Sequence, residues 1–283
     1  SQQRDIVMRL QGKGAAELLH GQTTADFKGL RAGESRYAAF CDPKGRVLAD
    51  VRAVLISPED ILVRGRTQVL EKLAEHLKPF LMFARATMTP TDWHIGARES
   101  CAGATVAALG LEGATLSTVV LPGYDGYEEH WTSPQIAAQT EASSDLAAWE
   151  LLNSRARVEV ETIGAYLPQD LNFDLNGTVS FSKGCYTGQE VVARMQYRGK
   201  LKRRLYAATV NRDTPATPGS ELFADDEASS IGNVVSMYSE NGQALVSAVL
   251  SINALDKAIH LVGETQPLSL LELPYPLPEI GED

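Results

Sequence analysis

The segment Lys183–Glu190, KGCYTGQE, holds the residue types best suited to chemistry, with Cys185 set between glycines at 184 and 188. Two glycines this close permit a tight turn and close approach by a neighbouring backbone or a ligand. A cysteine held there, near a helix N-terminus and flanked by Lys183 and Arg194, has its thiolate favoured by local positive potential. Such a thiol can act as a nucleophile, a redox-sensitive group or a metal ligand. It can equally be a small buried hydrophobe, the commonest fate of a free cysteine. Gln189 and Glu190 can serve simply to cap backbone donors.

The elements around this segment follow from hydrophobic spacing. GAAELLHGQ has helical spacing through Ala15, Leu18 and Leu19, and VLADVRAVLI alternates with period two, so residues 5–63 read as strand, helix, strand, strand. TQVLEKLAEHLKPF carries an apolar stripe of Val69, Leu70, Leu73 and Leu77, with Pro79 marking its exit. LMFARATM and ATLSTVVL are further strand candidates. From Ser143, SSDLAAWELLNSRARV places Leu146, Trp149 and Leu152 at helical spacing. A loop then leads to TVSFS, read as a strand whose exit carries the motif. After Gly199 the chain becomes short β-patterned runs separated by turn residues, which suggests a small antiparallel β-barrel. The expected domains are therefore an α+β region over 1–199 and a barrel over 200–283.

Composition narrows the function classes. A chain of 283 residues favours two or three domains, and no apolar run reaches the length of a membrane span. SQQRDIVMRL lacks the apolar core and cleavage site of a signal peptide, so a cytoplasmic location is expected. Cys41, Cys101 and Cys185 are odd in number and widely spaced, which argues against a disulfide framework and against a cysteine metal cage. The net charge of −10 disfavours general nucleic-acid or membrane binding. Arg194 to Arg204 inverts that balance locally, with six basic residues and no acid. This run can be the charged face of a strand, a mouth that attracts the glutamate tail of a folate, or an RNA contact.

KGCYTGQEVVAR followed by RGKLKRRL resembles the signature of the glycine-cleavage T-protein superfamily, in its YgfZ-type branch. HGQTTADF at 20–27, FCDPKGRVLAD at 40–50 and LPQDLNF at 167–173 agree with it in order and distance. The resemblance implies two interlocked α+β lobes enclosing a tetrahydrofolate pocket, with a C-terminal antiparallel β-barrel. It implies a role in iron–sulfur cluster assembly or repair and, through that, in tRNA modification. Cys185 and Lys183 would be the reactive pair. Trp149 would meet the pterin, though its spacing also suits a helix-face core residue. Gly184, Tyr186, Gly188, Gln189, Glu190, Arg194 and Arg198 would complete the cofactor site. A second pterin-contacting tryptophan of the family has Asp5 in its place. Gly21, Asp26, Asp42 and Gly45 can each be turn formers alone.

The expected ligand is thus tetrahydrofolate or a derivative, with no tightly held metal. The expected partners are iron–sulfur client or carrier proteins, with a monomeric state, no membrane association and no direct RNA binding. The competing reading is a folate-dependent aminomethyltransferase. T-proteins carry a catalytic aspartate in their middle region, and Asp92 and Glu99, the nearby acids here, lie outside a recognisable T-protein context.

Overall fold

A computed structural model describes residues 5–99, 108–112, 115–122, 127–137, 146–211, 216–240 and 243–278. Ser143, Cys101 and the end of the acidic tail lie outside these. The first sheet is antiparallel, in the order β2-β3-β4-β1-β5, from β1 (Asp5–Gly12), β2 (Ser35–Cys41), β3 (Val47–Ser57), β4 (Asp60–Arg66) and β5 (Ala86–Pro90). Helix α1 (Ala15–Gln22) and helix α2 (Thr67–Ala84) cover one face, burying Leu18, Leu19, Leu70, Leu73 and Leu77 against Met8, Leu10, Leu55 and Val63. The other face is also covered. Val7, Val54 and Leu62 pack on Val119, Leu121 and Trp131 of a second antiparallel sheet. That sheet runs β6-β9-β8-β7, from β6 (His94–Glu99), β7 (Ala108–Glu112), β8 (Thr115–Pro122) and β9 (Tyr127–Thr132).

Covering both faces changes what the alternation in β3 means. Residues 51–55 are all buried, including the arginine at 52, because neither face meets water. Helix α2 likewise runs past Pro79 to Ala84, and LMFA is helix rather than strand. Proline removes one backbone donor, but Leu77 and Leu81 keep the apolar stripe in the core on either side of it.

After the short helices α3 (Pro134–Ala137) and α4 (Leu146–Leu152), the chain takes an irregular path to helix α5 (Gln189–Arg198). TVSFS is not a strand. Ser180 N–H donates to the Thr24 carbonyl at 2.9 Å, and Val179 N–H to that of Phe173 at 3.0 Å. These bonds stitch it to the α1–β2 connection and to its own turn. The C-terminal half-barrel is a six-stranded antiparallel sheet in the order β14-β11-β12-β13-β10-β15. Its strands are β10 (Arg203–Asn211), β11 (Glu221–Ala224), β12 (Gly232–Glu240), β13 (Gln243–Ser251), β14 (Ile259–Leu261) and β15 (Ser269–Leu270). Leu205, Val235 and Val249 join it to a shared core with Cys41, Val47, Val158, Phe173 and Val192. Arg204 fastens the same junction, donating to Asp174 at 2.6 and 3.0 Å.

Candidate functional site

HGQTTADF, FCDPKGRVLAD and KGCYTGQE meet around the C-terminal end of α1, and LPQDLNF reaches the same region through α5. Helix carbonyls there lack intrahelical donors and carry partial negative charge. The buried Lys183 answers this: its Nζ donates to the Thr23 carbonyl at 2.6 Å and to the His20 carbonyl. Burial pushes its ammonium down to about 8, against the raising influence of Asp26 and Cys185. Its Nζ also lies 4.8 Å from the centre of the Tyr186 ring. Thr187 completes the seam, its N–H donating to the Gly21 carbonyl and its hydroxyl to Gln22 Oε1, both at 3.3 Å.

His20 sits beneath this loop. The Phe27 N–H reaches its Nδ1 at 3.3 Å, and a backbone N–H can only donate. Asp26 Oδ1 stands 3.2 Å from the same nitrogen, so Nδ1 faces both a donor and a carboxylate. Burial first, and then the Lys183 ammonium, holds the imidazole below its ordinary value, against the raising influence of Asp26. Nε2 faces Gly184, where a Cβ would lie 3.4 Å away.

The second glycine is set by contact with the DPKG turn. Gly188 has φ 83° and a Cβ there would stand 2.5 Å from the Asp42 carbonyl oxygen; a Cβ on Gly45 would press on Val191 at 3.0 Å. Asp42 shapes its turn by accepting from the Lys44 and Arg46 N–H groups at 2.8 and 2.9 Å. Gln169 of LPQDLNF donates to the Val192 carbonyl in α5 at 2.8 Å. Thr24 of HGQTTADF links Ala39 to Thr178 through its hydroxyl. On top of this seam Cys185 is exposed, whereas Cys41 is buried and its thiol is pushed up to about 12 by burial.

The residues read from the sequence thus divide by location. Lys183, Gly184, Cys185, Tyr186 and Gly188 share the seam, and Tyr186 is buried in it. Gln189 Oε1 accepts from the Tyr186 N–H at 3.3 Å, a capping bond. Glu190, Arg194 and Arg198 lie on the exposed face of α5. Trp149 stands apart on α4, half-buried and stacked on Tyr127 with ring centroids 5.3 Å apart.

A second polar centre, illegible in the sequence pattern, lies between α4 and the first sheet. Arg64 donates to Glu129 and Glu150 at 2.7 Å each and to Asp5 at 3.0 Å; Arg52 reaches Glu129 at 2.8 Å. Arg157 donates to Asp5 at 2.8 Å and to Glu150. Burial alone would raise both carboxyls, but Arg64 and Arg157 hold Glu150 at about 2 and, with Arg66, keep Asp5 well below its ordinary range. Asp5 is therefore a buried anion inside an arginine cage.

Arg66 lies between Asp50 and Glu159, at 3.6 and 3.5 Å. Its Nε and Nη2 and Glu159 Oε2 are buried and have no hydrogen-bond partner. Burial raises the Glu159 carboxyl to about 7 despite Arg66 and Arg157. Asp50 is oriented by the Val158 N–H, which it accepts at 2.7 Å. A carboxyl that titrates near neutrality beside an oriented carboxylate can exchange a proton with a bound group. Asp92, by contrast, is exposed. Among the described residues no cluster of His, Cys, Asp or Glu could hold a metal ion, and no helix is long and apolar enough to cross a membrane.

No protein-family model matches the chain. A Haemophilus influenzae protein carrying only the name "Uncharacterized protein" is 28% identical over 285 residues, covering 96% of each chain. Proteins named "tRNA-modifying protein YgfZ" are similar over nearly the same span. That of Shigella sonnei is 27% identical over 297 residues, and that of Escherichia coli K12 (DH10B) is 28% identical over 294. Each comparison covers 95% of this chain and 90% of the relative. The glycine cleavage system aminomethyltransferase T of Bartonella henselae shares the fold, with a TM-score of 0.70 at 15% identity over 95% of this chain and 83% of that one. By sequence, then, the chain is a relative of the proteins named YgfZ over nearly all its length, and its fold is the α+β fold of the T-protein.

Proposed function

We propose that this protein binds a reduced folate and supports iron–sulfur enzymes, and through them tRNA modification, with Cys185 as the working thiol. The observation that carries the reading is the placement of Cys185. It is exposed at the seam where HGQTTADF, FCDPKGRVLAD, LPQDLNF and KGCYTGQE interlock. A structural cysteine has no need of solvent, and Cys41 a few residues from the same turn illustrates the buried alternative. The names of the YgfZ relatives support the tRNA-modification part.

The residues present fit a folate. A pterin edge offers both donors and acceptors, and Arg66 Nε and Nη2 with Glu159 Oε2 are buried groups that make no hydrogen bond, although Arg66 is ion-paired with Glu159 and Asp50 at 3.5 and 3.6 Å. A buried polar group short of a hydrogen bond costs about 1–3 kcal/mol, and a polar ligand edge relieves part of that. Trp149 lies on α4 next to Glu150 of the same cage and offers an aromatic wall. A bound reduced folate would supply a one-carbon group carried on its N5 or N10 nitrogen. In this reading residues 1–199 hold the pocket and residues 200–283 close over α4.

Glu159 gives the alternative, one-carbon transfer, a specific footing. Its carboxyl, near 7 and beside Asp50, is suited to accept or return a proton. Calorimetric titration of a reduced folate into the intact chain tests the pocket, with Glu159→Gln and Trp149→Phe each expected to weaken binding. No heat of binding with the intact chain overturns the folate assignment. Loss of iron–sulfur enzyme support in Cys185→Ala, with folate binding retained, is expected; full support in that variant removes the thiol from the function. Turnover of an aminomethyl substrate that disappears in Glu159→Gln would favour transfer.

A further inference from the structure

The six basic residues between Arg194 and Arg204 do not form one surface. Arg204 is buried against Asp174, and Arg203 reaches Asp170 at 3.3 Å. The other four, Arg194, Arg198, Lys200 and Lys202, are exposed. From Ser182 to Lys202 the chain has one acid, Glu190, which lies 3.3 Å from Arg194 with both side chains largely in water. Such an exposed pair is weak and readily exchanged for another anion.

An aromatic residue stands among these cations. Tyr197 is 71% exposed, and its ring meets Phe181 edge-on, with centroids 6.1 Å apart and planes at 69°. Arg194, Tyr197 and Arg198 fall at i, i+3 and i+4 and so share one face of α5. Phe181 lies four residues before Cys185 in the segment that leads to α5.

A largely exposed aromatic ring can serve as a stacking platform, and flanking cations are what a phosphate backbone requires. A chain of net charge −10 repels polyanions over most of its surface, so contact would be confined to this face. We propose that the exposed face of α5, continued through Lys200 and Lys202, docks an RNA segment with an unpaired base stacked on Tyr197. The assignment stands on this surface alone and is independent of the folate pocket. An acidic polypeptide could satisfy the same cations but has no planar base to lay on the Tyr197 ring.

Fluorescence anisotropy of a labelled single-stranded RNA with the intact chain, at about 50 to about 200 mM salt, tests this. Four phosphate contacts predict a log–log salt slope of about −3. Arg194→Glu with Arg198→Glu is expected to weaken binding at least about tenfold and to flatten the slope by roughly half. Tyr197→Ala is expected to weaken it about 5- to 150-fold at unchanged slope, with Tyr197→Phe retaining affinity. All the positions changed are exposed, and unchanged circular dichroism confirms folding. No binding at the lowest salt, or full affinity in Tyr197→Ala, overturns the proposal. Equal competition by a polyglutamate of matched charge overturns it in favour of an acidic polypeptide or a folate glutamate tail.

Discussion

The ammonium of Lys183 lies 2.6 Å from the carbonyl oxygen of Thr23, a partner 160 residues earlier in the chain. One side chain thus fastens the thiol-bearing loop to the end of α1, in a place where the helix leaves carbonyls without donors. The charge of Lys183 is directed at the helix, and the thiol next to it is left facing solvent.

Replacing this lysine by methionine keeps its length and removes the donor. Lys183→Met is expected to lose about 1–3 kcal/mol, because the buried carbonyls of His20 and Thr23 go unpaired. The folded ammonium titrates near 8, below its ordinary 10.5, so the unfolded chain binds more protons between those values. Stability from this group therefore rises as pH increases from about 8 towards about 10.5, and the methionine variant lacks that rise. Urea midpoints of both proteins at two alkaline pH values check this; parallel changes would refute it.

Glu159 has the opposite dependence. Its folded carboxyl is raised from 4.5 to about 7, so the folded chain binds more protons across that interval and stability from this group falls as pH rises. Glu159→Gln should be the more stable protein above pH 7, by roughly 1–3 kcal/mol, with the difference vanishing near pH 4.5. Thermal melts across this range decide it.

The two described free cysteines should react at very different rates. Iodoacetamide is expected to label the Cys185 peptide in the native protein and to spare Cys41, which is buried with its thiol pushed up to about 12. Peptide mass spectrometry before and after denaturation distinguishes them. Comparable native rates would mean that Cys41 is not shielded.

Gly188→Ala tests the contact between the motif and the DPKG turn. A methyl group there meets the Asp42 carbonyl oxygen, and φ 83° is strained for alanine, so a loss of about 1–3 kcal/mol is expected. Hydrogen exchange should rise first in α5 and the 42–45 turn. Unchanged protection there would show that the turn moves aside at no cost.

Much of the architecture was legible locally. The spacing of Leu18 and Leu19, and of Leu70, Leu73 and Leu77, marks α1 and α2, and the β-patterned runs after Gly199 mark the half-barrel. The short β11 was missed, since four residues carry little periodicity. TVSFS has the composition of a strand, but its backbone groups find partners at Thr24 and Phe173 rather than in a ladder.

By itself the sequence determined α1, α2, α4, the β character of the C-terminal region and the glycine-flanked thiol, because side-chain periodicity and turn chemistry act between near neighbours. Only the tertiary structure decided what those residues face. Arg52, Arg64 and Arg66 lie on strands β3 and β4, yet they are buried because carboxylates from positions 5, 129, 150 and 159 converge on them. A buried charge is tolerated only where opposite charge is brought to it. That pairing depends on how sheets and helices stack, a relation between distant segments that no local pattern encodes.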